Sequence, residues 1–343
     1  MKKILITGGN GFIGFNFIKL MIQSGYNIVS IDNLSLSKHL NHELADIQSE
    51  KFKFIECDIM SDDVCELIKK YKFHAIVNFA AESHVDKSIH SSNLFIDTNI
   101  KGANNLLTCC NNLIKNNVLP NDFRFIQVST DEVYGSLIQK EPAFTESSIL
   151  KPTNPYSASK ASADLVAMAY FKTHNFPVMI TRCSNNFGPY QYPEKLIPLA
   201  INKIANNKKI PIYGNGQQIR DWIYVADHCA GIKKVLEQGR LGEVYNFGGY
   251  SELTNLELVE TIIKIMKPNA SSSQHIEHVR DRPGHDIRYA INSEKALNEL
   301  GWKPSNNFMN AINETVNWYI KNNEWSQNIL QTDHYLEWME KQY

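Results

Sequence analysis

The chain has almost no net charge: 35 lysine and arginine residues stand against 36 aspartate and glutamate residues, a formal value of −1 over 343 residues. No net field therefore recruits nucleic acid or an anionic membrane, and any bound phosphate has to be met by local groups. Long apolar runs are missing as well, since nothing approaches the ~18 residues that a membrane span requires. The opening Met1-Lys2-Lys3-Ile4-Leu5-Ile6 breaks at Thr7-Gly8-Gly9 and reads as a first strand instead of a leader. The six cysteines (Cys57, Cys65, Cys109, Cys110, Cys183 and Cys229) show no C-x-x-C spacing. They are expected to be reduced thiols that fill the core in a cytosol-like compartment. No internal repeat or heptad run is visible. What is present is 43% apolar residues, ample for a real core, so a soluble, cytoplasmic protein is expected.

Through residue 182, short β-branched runs alternate with longer amphipathic stretches, the pattern of a parallel sheet covered by helices. Strands are predicted at 3–7, 27–31, 52–57, 75–79, 124–129 and 178–182, with helices at 12–24, 62–71, 93–115 and 156–174. After Arg182 the rhythm changes at Phe187-Gly188-Pro189-Tyr190-Gln191-Tyr192-Pro193. The expected fold is α/β, a Rossmann-type doubly wound parallel sheet over residues 1–182 that carries the catalytic residues. A smaller mixed α/β region over 183–343 binds substrate, and the chain re-enters the first unit in places. Late helices are predicted at 255–266, 293–300 and 308–319.

Strand one runs into Thr7-Gly8-Gly9-Asn10-Gly11-Phe12-Ile13-Gly14. Glycines at 8, 11 and 14 allow a tight turn, a close approach of backbone N–H groups to a pyrophosphate, and close helix packing. Asp32, 18 positions past Gly14 at the end of strand two, suits the ribose hydroxyls and repels a 2′-phosphate, so NAD is expected over NADP. The bland alternative is a glycine turn with a solvated aspartate. Asp58, just past strand three, is a candidate for the adenine end, or a helix cap.

Tyr156 and Lys160 in Pro155-Tyr156-Ser157-Ala158-Ser159-Lys160 stack one turn apart on a predicted helix. A tyrosine with a pKa near 10 needs an adjacent ammonium and the positive nicotinamide to act as a base. Alone the spacing means little; after a dinucleotide fingerprint it means much. In this order the motifs resemble the extended short-chain dehydrogenases/reductases. Val128-Ser129-Thr130-Asp131-Glu132-Val133-Tyr134-Gly135 then resembles the dTDP-glucose 4,6-dehydratases, whereas sugar-nucleotide epimerases usually have small uncharged residues at the acid pair. The resemblance continues through Ala80 to Ser88, Ser184 to Tyr190, Pro193 to Pro198, Gln218 to Trp222 and Asp281 to Asp286, and so spans the chain up to about Trp318.

The resemblance implies a sugar transiently oxidised at C4, with Tyr156 accepting the hydroxyl proton and Thr130 hydrogen-bonding near the same oxygen. Glu132 removes the C5 proton made acidic by the ketone, Asp131 protonates the departing C6 hydroxyl, and the product is a 4-keto-6-deoxy sugar for rhamnose-type deoxysugar synthesis. This demands a protonated Asp131 beside an ionised Glu132; a solvated Asp-Glu turn is the competing reading. Phe12, Ile13, Asn33, Ile59, Ala80 and Ala81 are implied to join the cofactor pocket. Arg220 and Arg282, with His285 nearby, match the family's diphosphate contacts; salt bridges to Asp221 or Asp281 are the structural alternative. Asn255 matches a base or diphosphate contact, or is an N-cap. Asn185, Lys195, Leu196, Ile212 and Tyr213 complete the implied pocket, with Ser83 and Asp86 near the sugar.

No metal is expected to be needed. The stretch from Ser136 to Lys151 looks shorter than in many members, and the tail after Trp318 carries no assignable motif, so UDP-glucose stays open beside dTDP-glucose. A nucleotide-sugar 4-epimerase and a non-catalytic NAD-binding sensor are the alternative functions. A homodimer is expected through the helices at 93–115 and 156–174, which could instead merely cover the sheet.

Overall fold

The computed structural model describes residues 2–35, 47 and 49–332; the motif-less tail beyond Thr332 lies outside the described residues. The first unit begins β1 (Lys3–Thr7), α1 (Phe12–Gln23), β2 (Asn27–Asp32), β3 (Phe52–Glu56), α2 (Asp63–Tyr71), β4 (Ala75–Asn78) and α3 (Val85–His90). The predicted helix at 93–115 is interrupted: α4 (Ser92–Phe95) runs through a π-helical segment (Ile96–Gly102) into α5 (Ala103–Lys115). Gly102 sits in that segment, where an added Cβ would stand 2.5 Å from Ile59 Cδ1. The helix thus passes closely over the loop after β3, and π-turns are commonly tied to function. Next come β5 (Arg124–Thr130), a 3₁₀ turn (Asp131–Tyr134), α6 (Pro155–His174) and β6 (Val178–Cys183).

Apart from the edge strand β3, whose Lys53 and Glu56 are exposed, these strands are apolar on both faces because helices cover both. Leu5, Ile76, Phe125 and Ile180 belong to one core layer, and Ile4, Ile6, Val77, Ile126 and Met179 to the other. The remaining elements are β7 (Asn185–Phe187), α7 (Leu196–Ala205), β8 (Ile210–Tyr213), β9 (Ile219–Tyr224), α8 (Val225–Gln238), β10 (Val244–Phe247), β11 (Glu252–Thr254), α9 (Asn255–Met266), β12 (Ile276–Val279), α10 (Glu294–Leu300), α11 (Phe308–Lys321) and α12 (Asn323–Leu330). The main sheet has the order β10-β6-β5-β4-β1-β2-β3, and every pairing in it is parallel. Its seventh strand, β10, comes from well past Arg182. Beside it lie the small sheets β11-β9-β7 and β12-β8. The strand order reverses between β1 and β4, which opens a crevice at the C-terminal strand ends.

One expectation is corrected. Cys65 on α2 and Cys109 on α5 form a disulfide with a Cα separation of 5.7 Å, so only Cys57, Cys110, Cys183 and Cys229 are free thiols. The packing of the two helices brings together cysteines 44 positions apart, and motif spacing does not register such a pairing.

Candidate active site

The crevice begins at the glycine turn. Gly8 has φ +65°, and a Cβ there would lie 2.6 Å from the Ala80 amide nitrogen; a Cβ on Gly14 would lie 2.3 Å from the Gly8 carbonyl oxygen. Strand end, turn and helix start are therefore in contact through backbone that only glycine permits. Gly11 caps α1 without a side-chain hydrogen bond, which leaves the first helical N–H groups facing the cleft, a cradle for a pyrophosphate. Asp32 ends β2 with Oδ2 accepting from Asn10 N (3.0 Å) and Oδ1 from Leu34 N (2.8 Å). Asp58 accepts from Asn33 Nδ2 at 2.9 Å and from Met60 N at 2.7 Å. It fixes a turn four residues before Asp62, the residue that caps α2.

A single cleft of about 370 Å³ is lined by Gly8, Gly11, Phe12, Ile13, Gly14, Asp32, Asn33, Asp58, Ile59, Ala80 and Ala81, and continues over Thr130, Asp131, Glu132, Tyr156 and Lys160 to Ser83, Asn185 and Lys195. The cradle that a Cβ would fill and the carboxylate at the end of β2 fit an NAD molecule, which these first eleven residues would hold.

The acid pair sits where β5 turns into its 3₁₀ segment, with the Thr130 hydroxyl accepting from Glu132 N at 3.3 Å. Asp131 is 2% exposed. Among the described residues, Asp131 Oδ2 and Glu132 Oε2 have no hydrogen-bond partner. An unpaired buried carboxyl oxygen is costly unless a substrate completes it. Burial, then the charges of Glu132 and Asp221, hold Asp131 well above the ordinary carboxylate value. Burial raises Glu132 too, but Arg282, Arg220 and Lys195 pull it back. The environments thus separate the two acids in the order that a proton donor and a base require.

Helix α6 starts with a reciprocal Asn154–Ser157 capping box, and this places Tyr156 in its first turn against Thr130, whose hydroxyl hydrogen-bonds the phenol. Lys160, one turn further on, donates from Nζ to the Val128 carbonyl at 2.6 Å. Burial, then the charges of Glu132 and Cys183, push the Tyr156 phenol well up. Forming a phenolate therefore depends on positive charge arriving with the ligands as well as on Lys160.

On the substrate side, Arg220 is almost fully buried, donates to Asp286 O (3.0 Å) and Ile219 O (2.8 Å), and lies 4.3 Å over the Tyr289 ring. Arg282 pairs with Asp86 at 3.0 Å. Neither arginine makes the salt bridge to Asp221 or Asp281 that the sequence left open. Asp221 instead accepts from Gly249 N and Ser251 N, and Asp281 pairs with His285 at 2.6 Å. Burial lowers His285 to about 4, so it is a neutral ring near pH 7. Tyr213 meets that ring edge-on at 6.0 Å. Leu196 starts α7, Ile212 is buried in β8, and Asn255 is the first residue of α9, whose cap is Thr254. Asp86, Leu196, Ile212, Tyr213, Arg220, Asn255, Arg282 and His285 are not among the residues lining the cleft; Arg220 and Arg282 reach it through the field they exert on Glu132.

Sequence reasoning missed part of the wall: Glu82, Lys87, Thr98, Tyr190, Gln191, Tyr192 and Glu194. His84 Nε2 lies 3.2 Å from Glu194 Oε1, and Lys87 Nζ lies 3.7 Å from Glu194 Oε2. Buried charge in two motifs far apart in sequence was the available signal.

Residues 5–315 match the family model for GDP-mannose 4,6 dehydratase. The chain is 44% identical to a dTDP-glucose 4,6-dehydratase of Xanthomonas campestris over 98% of both chains, and 43% identical to one of Salmonella typhimurium over 99% of both. The solved dTDP-glucose 4,6-dehydratase of Bacillus anthracis, in complex with NAD, superposes with a TM-score of 0.86 at 46% identity, covering 96% of this chain and 100% of that one. A UDP-glucose 4-epimerase of Thermotoga maritima shares the fold at TM-score 0.83 but only 25% identity, over 93% and 99% of the two chains. Sheet, glycine turn and Tyr156–Lys160 pair define an extended short-chain dehydrogenase/reductase. Within that class, the chain belongs to the dTDP-glucose 4,6-dehydratase family.

Proposed function

We propose that this protein converts dTDP-glucose to its 4-keto-6-deoxy form and water, with NAD as a resident cofactor. The observation that carries the reading is the pair Asp131–Glu132, which lines the cleft with Tyr156 and has a buried, unclaimed oxygen on each carboxyl. When bound, NAD supplies an acceptor and later a donor of hydride, and a positive charge beside the phenol while oxidised. Tyr156 accepts the C4 hydroxyl proton, steadied by Thr130. Glu132 takes the C5 proton, which the neighbouring C4 ketone has made acidic. Asp131 gives its proton to the C6 hydroxyl, which leaves as water; the hydride taken from C4 is then delivered to C6 while Glu132 returns a proton to C5. Lys195, Arg220 and Arg282 are assigned to the diphosphate, with Asn185, Leu196, Ile212, Tyr213, Asn255 and His285 around the nucleotide, and Ser83 and Asp86 near the sugar.

Residues 1–182, re-entered by α8 and β10, form the NAD-binding and catalytic unit in this reading, and most of 183–343 serves the nucleotide sugar. A homodimer is part of it as well. While α5 buries Leu106 and Leu107, Leu94, Ile96 and Leu165 stand 47%, 42% and 61% exposed on α4, the π segment and α6, and these exposed apolar side chains are assigned to the contact with a second copy. Among the described residues no helix is long and apolar enough to cross a membrane, and dependence on NAD suits work in the cytoplasm.

The test is turnover of dTDP-glucose, UDP-glucose and GDP-mannose by purified protein in deuterated water. A 4-keto-6-deoxy product with deuterium at C5, formed fastest from dTDP-glucose, is expected. A C4-inverted sugar with its C6 hydroxyl intact would make the protein an epimerase, and tight NAD binding without turnover would make it a sensor.

A further inference from the structure

One turn beyond Lys160 on α6 lies Asp164, a carboxylate 1% exposed that the chemistry above leaves unused. Two neighbouring strands fix it. Arg182 Nε of β6 donates to Asp164 Oδ2 at 2.9 Å, and Ser129 Oγ of β5 donates to the same oxygen at 3.0 Å. Oδ1 has no hydrogen-bond partner among the described residues. Arg182 is held in turn: Nη1 donates to the Tyr134 hydroxyl at 2.9 Å, that hydroxyl donates to Asn246 Oδ1 at 2.9 Å, and the guanidinium lies 4.8 Å over the Tyr134 ring. The carboxylate is thus locked one helical turn from Lys160 by groups from β5, β6, β10 and the turn that carries Asp131 and Glu132.

Lys160 needs such a neighbour. It is buried, and its acceptor, the Val128 carbonyl, is neutral. A buried ammonium without nearby negative charge surrenders its proton. The groups around it are Tyr156 and Asp164, one turn to either side on its own helix, the Val128 carbonyl of β5 and the Cys183 thiol of β6. Among these, Asp164 is the strongest influence that opposes the downward pull of burial on Lys160, ahead of Cys183.

We propose that Asp164, clamped by Arg182 and Ser129 one helical turn from Lys160, is the positioning residue of the Tyr156–Lys160 pair, its carboxylate acting as the fixed counter-charge to the Lys160 ammonium that donates to the Val128 carbonyl. The inference deepens the dehydratase reading and rests on it. A purely structural role for Asp164, as counterion of Arg182, would change stability without moving the titration of Lys160.

Asp164→Asn preserves shape and removes the charge. On the NAD-loaded enzyme, the alkaline limb of kcat/KM for dTDP-glucose, where Lys160 loses its proton, is expected to move down by about one pH unit, which is a loss of about tenfold on that limb. The KM near neutral pH should change little. Because Asp164→Asn leaves Arg182 buried without its counterion, the double variant Asp164→Asn/Arg182→Gln removes both charges and supplies folded protein if the single variant does not fold; a smaller shift of the same sign is expected. The titration of Lys160 itself, followed by NMR of labelled lysine, must move down in parallel. A folded variant whose Lys160 titration and alkaline limb coincide with those of the wild type overturns the proposal. Absence of wild-type turnover would sink the dehydratase reading instead, and the NMR titration would still decide the role of Asp164.

Discussion

Replacing Asp131 by asparagine is expected to stabilise the protein at neutral pH while removing its dehydratase activity. Asp131 has one oxygen 3.4 Å from the Thr130 hydroxyl and the other unpaired, and burial holds its pKa well above 3.8. The sign follows from linkage. A carboxyl raised in the folded state and ordinary in the unfolded chain contributes fully to stability below pH 3.8 and loses that contribution as pH rises to the folded value. Inside that window the unfolded chain is ionised and the folded one protonated, so stability falls by about 1.4 kcal/mol per pH unit. Asparagine titrates in neither state and lacks this slope. Urea unfolding of both proteins at steps from about pH 4 to about pH 8 should give curves that diverge by one proton's slope and then run parallel. Each kcal/mol gained at neutral pH should raise Tm by roughly 2 °C or more. Turnover should fall by about 10²–10⁴-fold for want of the general acid. Parallel curves throughout, with no gain at neutral pH, would mean that Asp131 is ionised in the folded protein and is no proton donor.

Glu132→Gln is expected to abolish incorporation of deuterium at C5 and to lower turnover by about 10²–10⁴-fold, with mass spectrometry of the recovered sugar as the readout. Asp32→Ala should weaken NAD and narrow the gap between NAD and NADP by about tenfold or more, about 1.4 kcal/mol, because it removes the carboxylate that would repel a 2′-phosphate; titration calorimetry with both cofactors checks it. Leu165→Glu, on the exposed apolar face, should turn a sedimenting dimer into a monomer.

The sheet was legible because all its expected strands but the edge strand β3 are buried on both faces. A run such as Lys3–Thr7 declares itself without knowledge of its neighbours, and all six strands expected through residue 182 end within one residue of the observed bounds. Helix Asn255–Met266 was legible for another local reason, its amphipathic run, but its cap is Thr254, paired reciprocally with Glu257, and not Asn255. What escaped was non-local. Val244–Phe247 is a four-residue strand, and its place beside β6 is set by α8 folding back over the sheet. The disulfide depends on how α2 packs against α5. Asp86 and Arg282, 196 positions apart, were read as separate contacts to sugar and diphosphate, and their pairing appears only once the two units are brought together. The direction of the Lys160 side chain was equally hidden, since helical spacing gives the shared face of Tyr156 and Lys160 but not the acceptor that the ammonium chooses.

The cations that flank Glu132 link binding to chemistry. Burial raises Glu132 above the ordinary carboxylate value, and Arg282, Arg220 and Lys195 each take back part of that rise in the free protein, weakening it as a base. A nucleoside diphosphate placed on the same cations brings two negative charges, shares their field and removes part of that stabilisation, so Glu132 becomes a stronger base as the sugar arrives. The kinetic consequence is specific. The acid limb of kcat/KM reports Glu132 in the free enzyme and that of kcat reports it in the complex, so the limb of kcat should lie at higher pH. A diphosphate within about 6 Å of groups that screen a neighbouring carboxylate is expected to raise that limb by about one pH unit. Arg282→Met removes one of these cations, so it should raise the limb of kcat/KM and narrow the separation. Profiles of kcat and kcat/KM over the same pH series decide it: an acid limb of kcat at or below that of kcat/KM would show that the cations around Glu132 are not those that hold the diphosphate.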